Sequence, residues 1–162
     1  HWVSITGIVV EQLGVTLDVA AEAYVKVGLA VADAFISCWE IKFAYNLARP
    51  ITYIRDAAGP VNDPVWNSFI TTPPFAEFTS GHSTQSGAAA TVLTDLFGTV
   101  AFTDTTHPAL TARSFASFDE AADEAAISRL YGGIHYRAAI ERGLEQGTCI
   151  GRTILDEVQF RQ

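Results

Sequence analysis

The chain has no methionine, two cysteines, six prolines and ten lysines and arginines among its 162 residues. Two cysteines are too few for a disulfide framework. Cys38 and Cys149 both fall in apolar helical context, where buried free thiols are expected. Ten basic residues against eighteen acidic ones leave a formal charge of −8, which argues against nucleic acid and anionic membranes as partners. No apolar run approaches the roughly eighteen residues of a membrane span. The strongest candidate, around Val25 to Cys38, is interrupted by Lys26 and Asp33. The lack of Met, with His1 opening inside an expected helix, reads as an excerpt of a longer polypeptide.

What is present describes one globular helical domain over residues 1–162. The sequence is 49% hydrophobic and 17% charged, without internal repeats or low-complexity tracts. Apolar spacing predicts helices over Trp2–Leu13 and about Leu17–Leu47, the second ended by Pro50. Ile51 to Phe78, with Gly59, Pro60, Pro64, Pro73 and Pro74, reads as an ordered loop with a short helical turn near Val65–Phe69. A helix rich in small residues follows over Ser83–Phe97. Gly98–Thr111 reads as a second loop with a brief strand at Val100–Phe102. Helices resume over Ser117–Tyr131, break at Gly132-Gly133, and continue from about Ile134 to Val158. The fold class is all-α, a bundle of five or six helices.

Three short segments carry the chemistry. Lys42 and Arg49 stand two turns apart on one helical face, which brings a mobile ammonium and a planar guanidinium to one pocket. Such a pair suits an anion with several oxygens. Ser80-Gly81-His82 lies where a loop becomes a helix. The free amides there, with a hydroxyl and a glycine lacking Cβ, form an oxyanion cradle, and His82 is placed for proton transfer. Arg129 and His135 flank the Gly132-Gly133 break, which turns their side chains toward each other. Singly, each segment is equally a solvated face, a helix cap or a core histidine. Together they amount to three cations, two histidines and a hydroxyl for one tetrahedral or trigonal oxyanion. His1 and His107 have no motif context, and His107, before Pro108, reads as solvent-exposed.

KFAYNLARP, TSGH and SRLYGGIH resemble the three-part signature shared by type 2 phosphatidic acid phosphatases, bacterial class A acid phosphatases and vanadium-dependent haloperoxidases. The resemblance covers about Trp39 to Gly151 and implies an all-α bundle of the acid phosphatase/vanadium haloperoxidase type. It also implies that Lys42, Arg49, Ser80, the Gly81 amide and Arg129 hold the oxygens of vanadate, or of phosphate in the same pocket. His135 would be the axial vanadium ligand or the phosphorylated nucleophile, and His82 the acid–base partner opposite. Trp39 and Phe75 fall where chloroperoxidase-like members place aromatic residues around the halide. The sequence departs from the pattern at Thr79, usually Pro, and at Ala139, usually the Asp that orients the histidine. An Asp or Glu from elsewhere could take that role. The resemblance also implies an acidic partner for Arg129, supplied upstream in such relatives, for which Asp33 is the local candidate.

The resemblance therefore implies a vanadium-dependent haloperoxidase, represented by its C-terminal catalytic half. Its partners would be hydrogen peroxide, a halide and a small organic acceptor, with Lys42 polarising the peroxide. Another segment or subunit would supply the N-terminal helical half. The alternative is a phosphatase hydrolysing phosphate monoesters through phospho-His135, and a third reading is an anion-binding module without turnover. A periplasmic or secreted location goes with the family.

Overall fold

The small residues of one helix, threaded between three others, organise this molecule. The computed structural model describes residues 1–107 and 111–160. In chain order it contains α1 (Trp2–Leu13), α2 (Leu17–Tyr45), α3 (Pro50–Arg55), α4 (Gly81–Phe97), β1 (Phe102–Asp104), β2 (Arg113–Phe115), α5 (Phe118–Tyr131) and α6 (Arg137–Glu157). The expected all-α bundle is present, with one antiparallel ribbon in which Phe102 faces Phe115. Among the described residues no helix is long and apolar enough to cross a membrane.

α4 packs against α2, α5 and α6. Thr84, Gly87, Ala88, Ala89 and Ala90 are buried along it, and small side chains let helix backbones approach closely. The approach is tightest against α6, where Gly143, Gly147 and Gly151 recur every four residues. A Cβ on Gly143 would stand 2.8 Å from the Ser83 Cβ, and one on Gly151 would stand 2.8 Å from the Ala88 carbonyl oxygen. This contact binds the start of α4 to α6. Phe118, Leu93, Val92, Val27, Val9 and Ile5 fill the apolar core on the other side of α4.

Several expectations are corrected. α2 stops at Tyr45 because Asn46 is left-handed (φ 45°) and its amide donates back to the Lys42 carbonyl. Pro50 opens α3 at a position where its missing amide costs nothing, so the stretch after Pro50 begins as a helix. Val65–Phe69 is not helical: the Asp63 carboxylate accepts from the Val65 amide at 3.2 Å and makes a local turn instead. The strand lies at Phe102–Asp104 and pairs with Arg113–Phe115, a partner that alternation did not reveal over so short a run. Pro108 to Leu110 of the expected second loop lie outside the described residues. Cys38 is buried as expected, but Cys149 is exposed on α6.

Candidate active site

α2 ends where its last turn carries Lys42 inward. Lys42 is 3% exposed, and its ammonium donates to the carbonyls of Ala76 (2.9 Å), Glu77 (3.0 Å) and Thr79 (2.5 Å). Burial, together with the nearby Arg49, lowers the Lys42 pKa to about 8, while Cys38 and Glu77 act in the opposite direction.

Arg49 arrives by a different route from the one a continuous helix implies. It is the residue capping α3, three positions beyond the left-handed Asn46. Its guanidinium donates to the carbonyls of Phe75, Ala76 and Ile134, and its Nη1 lies 3.0 Å from His135 Nε2. A guanidinium can only donate, so Nε2 accepts and the ring proton of neutral His135 resides on Nδ1. Burial depresses the His135 pKa, with Arg49 and Lys42 adding to the effect and Glu77 opposing it.

The second block behaves as a helix start. Ser80 is fully buried, its Oγ accepts from the Ser83 amide at 3.3 Å, and its own amide donates to the Ala139 carbonyl at 3.0 Å. Gly81 is the first residue of α4, so its amide is among those lacking an intrahelical acceptor. His82 keeps an exposed edge, and its Nε2 accepts from Arg129 Nη1 at 2.9 Å. Packing around the ring, then Arg129, then His135, lower the His82 pKa to about 4.

Arg129 closes the last turn of α5. After it, Gly133 takes φ 73°, a conformation open to glycine, and the chain turns before α6 begins at Arg137. His135 thus sits in the turn rather than on α6, and both it and Arg129 lie close enough to act on His82. A cavity of about 580 Å³ borders His82 and Arg129, with Trp2, Ser86 and Phe115 among its other walls. Lys42, Arg49 and His135 are not among its lining residues.

The aromatic pair adjoins the cations. Trp39 and Phe75 meet edge to face with centroids 4.6 Å apart. Lys42 Nζ is 5.6 Å from the Trp39 centroid and 5.5 Å from that of Phe75, and the Arg49 guanidinium is 5.0 Å from Phe75. These are cation–π distances.

The family model for the VCPO (vanadium chloroperoxidase) second helical-bundle domain matches residues 22–161. The chain belongs to that family. A crystal structure described as the first bacterial vanadium-dependent iodoperoxidase is similar to 98% of this chain at 48% identity and a TM-score of 0.92; the match covers 38% of that chain. The vanadium chloroperoxidase of Curvularia inaequalis is 33% identical over 79 residues, 42% of this chain and 13% of that protein. A holo-type bacterial vanadium-dependent chloroperoxidase shares the fold at 19% identity and a TM-score of 0.68, over 82% of this chain and 34% of that one. The chain therefore spans well under half the length of these relatives.

Both departures from the family pattern have a structural answer. The Thr79 hydroxyl donates to Gln146 Oε1 at 2.7 Å, and Gln146 Nε2 donates to Ser37 Oγ at 2.9 Å, so the threonine links α2 to α6. Ala139 is fully buried, and the carboxylate facing His135 comes instead from Glu77, whose Oε1 lies 2.7 Å from Nδ1 and also accepts from the Tyr136 amide at 3.0 Å. The sequence reading left this residue unnamed. Its one signal was a lone acid in the otherwise apolar run PPFAEF. Asp33 is exposed and is not the partner of Arg129. No carboxylate hydrogen-bonds Arg129 among the described residues, and its buried Nε has no hydrogen-bond partner there.

The donor set suits an oxyanion. Lys42, Arg49 and Arg129 bring three cationic side chains to a region where Glu77 supplies the one carboxylate engaged with these groups among the described residues. Excess buried positive charge is costly until an anion offsets it. Arg129 Nε has no partner among the described residues, and Ser80 and Gly81 follow Thr79, whose carbonyl accepts from Lys42, so they offer further donors.

Proposed function

We propose that this chain carries the oxyanion-holding centre of a vanadium-dependent haloperoxidase. Lys42, Arg49, Ser80, Gly81 and Arg129 hold vanadate through its oxygens, and His135 Nε2 is the ligating atom. The observation that carries the reading is the buried cationic excess gathered around one imidazole whose Nε2 is free of a proton. When bound, vanadate supplies a Lewis-acid centre at which hydrogen peroxide is activated and halide becomes hypohalous acid. The protein's share is positional and electrostatic. Lys42 and Arg49 neutralise oxyanion charge in a desolvated setting, where such interactions count for most. His82 is neutral at ordinary pH, and its Nε2, which accepts from Arg129 here, would take a proton from peroxide or water once that contact gives way to the bound oxyanion. The hypohalous acid then halogenates a small organic acceptor. Trp39 and Phe75 present an apolar wall that strips water from a halide beside Lys42.

The similarity to proteins described as a vanadium-dependent iodoperoxidase and as a vanadium chloroperoxidase supports the chemistry. The remaining helical half of the enzyme comes from another segment or subunit, and a periplasmic or secreted setting suits the reaction.

The Glu77–His135 pair favours a second reading, phosphate monoester hydrolysis through phospho-His135. A carboxylate behind an imidazole is the arrangement that activates a histidine nucleophile.

Full-length protein, with and without added vanadate, assayed with monochlorodimedone plus bromide or chloride and by iodide oxidation, tests the proposal. Halide turnover that requires vanadate and disappears in His135→Ala is expected. Hydrolysis of a chromogenic phosphate ester by vanadate-free protein, lost in the same variant and unaccompanied by halide oxidation, would establish the second reading instead. Inactivity in every arm would overturn both.

A further inference from the structure

We infer that Glu77 is the positioning residue of His135, holding the ring with Nδ1 protonated and Nε2 presented to the oxyanion. The inference rests on the reading of His135 given above. It assigns to the loop just before TSGH a task that the family pattern places four residues after the histidine, where this chain has Ala139.

The geometry is specific. Glu77 is 1% exposed, so its carboxylate depends on protein partners. Oε1 receives Nδ1–H of His135 at 2.7 Å and the backbone N–H of Tyr136 at 3.0 Å. One oxygen therefore fixes both the ring and the backbone immediately after it, which a simple counter-charge would not require. A carboxylate serving only to neutralise Lys42 and Arg49 would turn toward their donors. Those donors are instead taken by main-chain carbonyls and by His135.

Glu77 is itself anchored at three points. Its amide donates to the Leu47 carbonyl at 2.9 Å, its carbonyl accepts from Lys42 Nζ at 3.0 Å, and its side chain holds His135. The same residue thus sets the ammonium and the imidazole relative to one another. On the far side of the ring, Arg49 donates to Nε2. The two hydrogen bonds select a single neutral tautomer, the one that leaves a lone pair on the nitrogen required for ligation or attack. A carboxylate accepting the distal N–H of a ligating histidine orients that ring and strengthens its donor nitrogen.

Nitrogen-15 NMR of histidine-labelled, vanadate-free full-length protein, combined with equilibrium dialysis of orthovanadate, tests this. Wild type should show a protonated Nδ1 and an unprotonated Nε2 at His135. Glu77→Ala should mix the tautomers and weaken vanadate binding by about ten- to a hundred-fold. Glu77→Gln, whose amide oxygen can still accept from Nδ1, should keep the tautomer and fall between them. A wild-type ring protonated at Nε2, or a Glu77→Ala protein with unchanged tautomer and affinity, would overturn the positioning role. Should Glu77→Ala fail to fold, Glu77→Gln decides: reduced vanadate affinity supports the role and wild-type affinity overturns it. Wild type that holds the expected tautomer but binds no vanadate would instead remove the functional reading.

Discussion

Nη1 of Arg49 lies 3.0 Å from Nε2 of His135, joining residues from the first and third sequence blocks in one buried contact. The pairing aims a fixed positive charge at the nitrogen that would meet the oxyanion, and burial keeps water from screening it. Arg49→Lys keeps the charge and loses the planar fork. A hydrogen bond involving a charged group contributes about 1.5–3 kcal/mol. Phosphate or vanadate affinity should therefore drop roughly ten- to a hundred-fold, measured by calorimetry, while the helical circular dichroism stays the same.

Oxyanion affinity should also weaken as pH rises through about 8. Lys42 is pushed down to that value, chiefly by burial. Above it the ammonium loses its proton and its charge, and the site loses one of its cations. In Lys42→Met the lysine's part of this alkaline limb should vanish, leaving weaker binding whose pH dependence is that of the oxyanion's own protonation. Titrating vanadate into both proteins between pH 7 and 9.5 checks it.

The residues of the candidate site are legible in the sequence as short motifs that tie chemistry to consecutive positions. Arg49-Pro50, Ser80-Gly81-His82 and Arg129 with His135 place cations, hydroxyl and imidazoles through local geometry that those few residues largely dictate. Apart from α3, the helices are legible from spacing; Ser117 marks the start of α5, while α4 begins at Gly81 rather than at the expected Ser83. What stayed hidden depends on distant contacts. Glu77 gains its partner only when the loop before α4 folds against the turn after α5, and nothing adjacent in sequence announces this. The break at Asn46 was masked because the apolar pattern runs on to Leu47. The β1–β2 pairing rests on three residues per strand, too few for alternation to register.

Acid should destabilise the fold through its two site histidines. His82 is lowered to about 4 and His135 is also lowered, each chiefly by burial. In the unfolded chain both take up protons near 6.5. Between about pH 6.5 and 4 the unfolded state therefore binds more protons, and stability falls as pH drops through that window. Urea denaturation of wild type and His82→Gln at pH 7.5 and 5 measures this, with a smaller loss expected in the variant.

The α4–α6 contact is set by glycine, and Gly147→Ala separates two opposing effects. Alanine raises intrinsic helix stability by about 1 kcal/mol over glycine. A Cβ at Gly147, however, would collide with the Thr84 carbonyl oxygen and approach the Ala88 amide nitrogen to 2.8 Å. Forcing atoms into packed space costs about 1–3 kcal/mol, and here the obstruction is backbone that cannot rotate away. Net destabilisation of about 1–2 kcal/mol is expected, with Gly28→Ala, where a Cβ meets nothing within 4 Å, as the control.

Crystals of the full-length protein soaked in orthovanadate, imaged by anomalous diffraction near the vanadium edge, give the most direct test. A single strong peak at bonding distance from His135 Nε2, with Lys42, Arg49, Ser80, Gly81 and Arg129 around it, is the expected result. A peak at another part of the bundle, or none near His135 at saturating vanadate, would mean that these three segments do not form one oxyanion site.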